Sequence, residues 1–154
     1  MPSKPSVILG ISPGTRFMGY AVMSEGELID WGIKSFNGKW SNSKGNKILE
    51  TIQKMISAYQ PSAVVVKVNQ TPVTSKNLEM IYSEIKNYTK PNRLNLFFIS
   101  IKDLKRTCFE VKNKQEMVEY LRQRFPETDK NFQRNAAGPN IRAFEAIAAI
   151  ISIS

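Results

Sequence analysis

The 154-residue sequence contains no histidine and a single cysteine, Cys108. One thiol cannot close an internal disulfide, which agrees with a reducing compartment. With no imidazole anywhere to take its proton, Cys108 cannot act in a Cys–His nucleophilic pair, and it reads as a packed residue near a helix. Acids are scarce too: 13 Asp and Glu stand against 22 Lys and Arg, a formal charge of +9. No charged segment followed by a long apolar stretch opens the sequence, and no run approaches bilayer length. The expected location is therefore cytoplasmic, with no membrane partner. Internal repeats and low-complexity tracts are missing as well. An apolar content of 42% over 154 residues supplies one core, so a single domain spanning 1–154 is expected.

What is present is an alternation of apolar runs and amphipathic segments. Val7-Ile8-Leu9 feeds a Pro13-Gly14 turn, and a second apolar run follows, which predicts a hairpin whose first strand ends on Ser12. Leu28 to Phe36 reads as a third strand, and Asn37 through Gly45 as a polar loop. Ile48, Leu49, Ile52, Met55, Ile56 and Tyr59 recur at helical spacing up to Pro61. Val64-Val65-Val66 is a buried central strand, adjacent to the first. Leu78, Ile81, Tyr82 and Ile85 mark a second helix, and Leu94 to Ile101 a further strand. Asn113 with Glu116 resembles a capping box ahead of Met117, Leu121 and Phe125, with Pro126 closing that helix. Glu127 to Pro139 is polar and reads as irregular. The pattern predicts an α/β fold: a mixed five-stranded sheet with helices on both faces.

The stretch Gly10-Ile11-Ser12-Pro13-Gly14-Thr15, continued by Gly19-Tyr20-Ala21, resembles the opening strand of the RuvC-type Holliday-junction resolvases of the ribonuclease H-like superfamily. The family pattern has an aspartate where this chain has Ser12. Pro61 to Lys67 is similar to the second acidic strand, with Lys67 at the glutamate position. Arg142-Ala143-Phe144-Glu145-Ala146-Ile147-Ala148 is similar to the closing helix, Arg142 and Glu145 falling on its two aspartates. The resemblance spans nearly the whole chain and implies a ribonuclease H-like fold. Of the four carboxylates it implies, Glu145 alone is an acid. Two-metal phosphodiester cleavage needs a carboxylate cluster to hold the ions. An ammonium or a guanidinium has no lone pair to offer, and a hydroxyl is a weak neutral ligand. No metal or other cofactor is therefore expected, Mg²⁺ entering only if other acids form an active nuclease.

Lys67 ends an otherwise apolar strand, where it either snorkels to the sheet edge or pairs with Glu145 in the vacated metal position. Glu145 lies on a helix too apolar to face solvent all round, and its other available partner is Arg142 at i,i+3. Thr15 and Arg16 either stabilise the turn or contact phosphate. Basic residues recur at Lys39, Lys44 and Lys47, at Lys86, Lys90 and Arg93, and most densely at Lys102, Lys105, Arg106, Lys112 and Lys114, the group expected to grip a nucleic-acid backbone. The family's aromatic residue after the second acid has no counterpart in Val68-Asn69-Gln70. Trp31, Phe97 and Phe98 fall in predicted strands and read as core, leaving Trp40 as the exposed candidate for base stacking.

Three functions follow. The first is a catalytically degenerate resolvase-like domain that binds DNA, branched DNA included, or another nucleic acid without cutting it, Lys67 and Arg142 neutralising phosphate in place of metal. The second is an active metal-dependent endonuclease drawing acids from Asp30, Asp103 or Glu110. The third is a protein-interaction module that dimerises with itself or with an active relative. The Gly-Thr turn is also similar to the phosphate hairpin of actin-like and sugar-kinase ATPases, but the chain has no second Gly-rich phosphate loop.

Overall fold

A computed structural model describes residues 6–68, 76–100, 113–128 and 141–153. Five strands form one sheet: β1 (Val7–Ser12), β2 (Phe17–Ser24), β3 (Glu27–Ser35), β4 (Ala63–Val68) and β5 (Asn95–Ser100). Their order is β3-β2-β1-β4-β5. The first three strands run antiparallel as a meander, while β1 pairs β4 and β4 pairs β5 in parallel. The sheet is mixed, as the alternation predicted, and β1 and β4 lie side by side at its centre.

Side-chain alternation divides the sheet into two apolar faces. Leu9, Ile11, Val22, Val64 and Val66 project to one, where they meet Ile48 and Ile52 of helix α1 (Asn42–Tyr59) and Ile81 and Ile85 of α2 (Lys76–Thr89). Ala21, Met23 and Val65 project to the other, against Met117 and Leu121 of α3 (Lys114–Arg124) and the buried stretch from Ala143 to Ile150 of α4 (Ile141–Ile153). A helix apolar around its circumference has no solvent-facing side, and α4 accordingly lies between the sheet and α3.

Helix boundaries follow local chemistry. Asn113 Oδ1 accepts from the Glu116 amide at 2.9 Å, the capping geometry expected there. Past α3, Pro126–Thr128 forms one 3₁₀ turn. One boundary departs from the sequence reading. The segment expected as loop through Gly45 is helical from Asn42, because Ser41 acts as N-cap and accepts from the Lys44 amide at 3.1 Å. The apolar periodicity starts only at Ile48, so hydrophobic spacing locates the buried face and misses the polar first turn. The strand expected over Leu94 to Ile101 is β5, Ile101 itself lying outside the described residues.

Two glycines set how closely α4 approaches the sheet. A Cβ at Gly10 would strike the Ala146 carbonyl, and one at Gly19 would strike the Arg142 carbonyl and the Ala143 amide. The helix backbone thus rests directly on β1 and β2, where any side chain would hold it off. Gly19→Ala is expected to destabilise the fold by roughly 1–3 kcal/mol, the usual cost of forcing atoms into a packed interior. Urea denaturation should show this as a lower midpoint at unchanged slope.

Candidate functional site

Ser12, the last residue of β1, projects toward α4 on the same face as Gly10, because its register partner is Gly19, which lies under the helix. Lys67 shares that face by alternation from Val65 on β4. Glu145 descends on them from the second turn of α4. The Ser12 hydroxyl donates to Glu145 Oε1 at 3.2 Å, and Lys67 Nζ forms an ion pair with Glu145 Oε2 at 3.1 Å. All three are buried: Ser12 is 0% exposed, Lys67 5% and Glu145 1%. Of the two readings of Lys67, pairing holds. Snorkelling fails, because α4 closes over the strand end.

Arg142 takes no part in this pair. Its guanidinium packs on Gly14 and donates to the Pro13 carbonyl at 3.1 Å, so it braces the β1–β2 turn from the start of α4. The alternative i,i+3 pairing of Arg142 with Glu145 is not formed: the Glu145 carboxylate points at the sheet, while Arg142 reaches along the turn. Thr15 is half-buried and Arg16 exposed in the same turn, with the Arg16 guanidinium 5.9 Å from the centre of the Phe17 ring.

The chemistry of this donor set does not fit a divalent cation. A hard ion asks for several oxygen ligands. Here one carboxylate is shared between a hydroxyl donor and an ammonium, and the ammonium would repel any metal. Among the described residues, no group of three or more His, Cys, Asp or Glu could hold a metal ion. Of the acids considered for an active nuclease, Asp103 and Glu110 lie outside the described residues. Asp30 lies on the opposite face of the sheet, since its register partner Val22 packs against α1.

Asp30 has a different occupation. It accepts from the Tyr59 hydroxyl and from the Trp31 amide, tying the end of α1 to β3. That hydrogen bond, followed by burial and the Asp30 charge, pushes Tyr59 up to about 12. Tyr20 is raised as well, by burial first and then by Asp30. This clamp escaped the sequence reading because no local signal links residues 29 positions apart.

Other sequence candidates divide plainly. Lys102, Lys105, Arg106 and Lys112, like Cys108, lie outside the described residues, and Lys114 is the first residue of α3. Trp40 is not an exposed stacker: it is half-buried, its ring against Gly45 in the first turns of α1. Phe97 and Phe98, expected in the core, are 42% and 40% exposed, because β5 is the edge strand and its covered positions are Leu96, Ile99 and Ser100.

No protein-family model matches the chain, and no curated protein matches it by sequence. Solved structures do match. Thermus thermophilus RuvC in complex with a Holliday-junction substrate superposes with a TM-score of 0.72 at 14% identity, over 96% of this chain and 91% of that one. A further structure of Thermus thermophilus RuvC gives the same TM-score and identity over 95% and 92%. The chain therefore has the ribonuclease H-like α/β fold of RuvC.

Two outcomes follow from this geometry. Lys67→Ala and Glu145→Ala should each cost about 3–5 kcal/mol, since either removes one partner of a buried ion pair. The double substitution should cost less than the sum, and a double-mutant cycle by chemical denaturation measures the difference. For Tyr59, the folded phenol ionises above its ordinary value of 10.0. Its contribution to stability is thus complete below about pH 10 and is lost as pH rises through about 12. The stability difference between the parent chain and Tyr59→Phe should shrink across that window, and ultraviolet titration should lose one phenol near pH 12.

Proposed function

We propose that this chain is a nucleic-acid-binding domain of resolvase-like fold that holds its ligand without cutting it. The observation that carries this reading is the buried Ser12–Glu145–Lys67 group, in which an ion pair stands where the resemblance to resolvases would place metal-binding acids. The formal charge of +9 supports a polyanionic ligand, and the RuvC structure solved with a Holliday junction supports branched DNA among the ligands to test. Lys67 itself does not neutralise phosphate, contrary to the sequence reading: it is enclosed, and Glu145 already balances its charge. Binding then falls to exposed cations around the β1–β2 turn and to those of the loops. Arg142 serves this role through the guanidinium donors that Pro13 does not take.

A second reading has one observation in its favour. Phe97 and Phe98 leave partly exposed rings on opposite faces of the edge strand β5, an apolar edge of the kind that docks a protein, a second copy of this chain included.

Fluorescence anisotropy with a labelled four-way junction, a duplex and a single strand tests the proposal. Binding is expected to weaken linearly in logarithmic salt, with a slope of roughly −3.6 for about four phosphate contacts. No cleavage is expected with Mg²⁺ or Mn²⁺. Metal-dependent turnover abolished by Glu145→Gln would overturn the non-cutting reading. Absence of DNA binding together with a doubled mass in solution would favour the protein-docking one.

A further inference from the structure

At the sheet end that carries Ser12 and the β1–β2 turn, α1 opens onto a cavity of about 320 Å³. Its lining includes Asn37, Lys39, Ser41, Ser43, Lys44 and Lys47, three cations and no acid. The first turn of α1 likewise has no acidic residue. Ser41 caps the Lys44 amide, while the amides of Asn42 and Ser43 belong to the helix positions that have no intrahelical acceptor. These amides and the helix dipole give the cavity a positive wall.

Lys44 supplies the second, independent observation. It is 8% exposed, and its ammonium donates to the Gly38 carbonyl at 2.6 Å. Among the described residues, no carboxylate lies within ion-pair distance of it. A buried cation ordinarily comes with a counter-charge, and here it sits at the positive end of a helix beside two further lysines. Among the described residues, the lysines around this cavity have no carboxylate beside them, and the Lys44 ammonium is held by a backbone carbonyl alone, whereas Lys67 has Glu145.

The cavity also adjoins the candidate nucleic-acid face. Ser35 and Phe36 form part of its wall, and the Phe36 amide bonds the Arg16 carbonyl at 2.8 Å. Lys39 and Lys47 are exposed on its rim, as Arg16 is on the turn beside it. A compact anion would need the cavity alone. Exposed cations continuing past the rim suit an extended polyanion with phosphates at successive positions.

We propose that the cavity at the start of α1 seats a backbone phosphate of a bound nucleic-acid strand, with Lys39 and Lys47 contacting it and Lys44 holding the Gly38 loop in place behind them. This rests on the nucleic-acid reading above and names part of the surface that performs it.

The test compares the full chain with its Lys39→Gln/Lys47→Gln double variant, whose substitutions fall on exposed positions, with circular dichroism confirming the fold. On a labelled four-way junction the variant should bind about tenfold more weakly at moderate salt, with a slope shallower by about one to two. In parallel, inorganic phosphate titrated into the ¹⁵N-labelled parent chain should shift the Ser43 and Lys44 amides, and should not do so in the variant. A parent chain that binds the junction, with a variant of equal affinity and slope, overturns the phosphate seat and leaves the nucleic-acid reading standing. A parent chain that binds no nucleic acid overturns that reading and the strand-binding role with it. Phosphate-induced shifts would then retain an anion seat, and their absence would remove it.

Discussion

The depth at which α4 sits on the sheet governs the rest of this structure. With no Cβ at Gly10 or Gly19, helix backbone meets strand backbone, and Glu145 is driven into the layer where Ser12 and Lys67 project. A carboxylate at that depth cannot be hydrated, and an ammonium beside it cannot be either. Each is tolerable because the other is there. The gain is not stability as such, since well-packed apolar side chains of similar volume do as well or better. It lies in register. Sliding α4 by one residue would present Phe144 or Ala146 to Lys67 and break the ion pair together with the Ser12 hydrogen bond, so these contacts favour one docking of α4 over its neighbours.

The same pair fixes the electrostatics of the sheet end. Ser12 is neutral and the charges of Lys67 and Glu145 are opposite, so these three residues together carry no net charge. The basic character of this end resides instead in groups that retain charge near solvent. Arg142 is half-buried on the turn, Arg16 is exposed on it, and Lys39 and Lys47 flank the start of α1. Lys44, enclosed behind them, adds a cation that no carboxylate among the described residues offsets.

Much of this was legible in the sequence, and the parts that were not share a cause. Strands β1 and β4 and their adjacency followed from two continuous apolar runs, and the Lys67–Glu145 pair from the resemblance to resolvases, whose fold brings those two positions together. Gly14 read as a turn signal from sequence and Gly10 and Gly19 only as motif positions, whereas Gly10 and Gly19 act through a distant helix, a relation that no local pattern encodes. Phe97 and Phe98 were assigned to the core because aromatic runs in strands are usually covered on both sides. Being the edge strand is a property of sheet order, not of composition. Helical spacing offered Arg142 as an alternative partner for Glu145, but spacing gives the face a residue occupies and not its rotamer. The polar first turn of α1 was missed for want of apolar positions, although Ser41 was available as a cap signal. The Asp30–Tyr59 clamp joins a strand to the far end of a helix and has no sequence signature.

These electrostatics bear on how a phosphate could approach. A cluster of carboxylates repels a nucleic-acid backbone until divalent ions bridge the two, so in metal-dependent sites binding near the acids and loading of metal are coupled. Here the interior site is already neutral without any ion. Among the described residues, this group adds no net negative charge to oppose a phosphate, and under the reading proposed above the cations on the turn and at the start of α1 need no bridging metal. Under the proposed function, replacing acids by an internal ion pair therefore does two things at once. It removes the means of holding the ions that cleavage requires, and it removes the repulsion those ions would otherwise have to overcome, so that binding becomes independent of the cations on which cutting would depend.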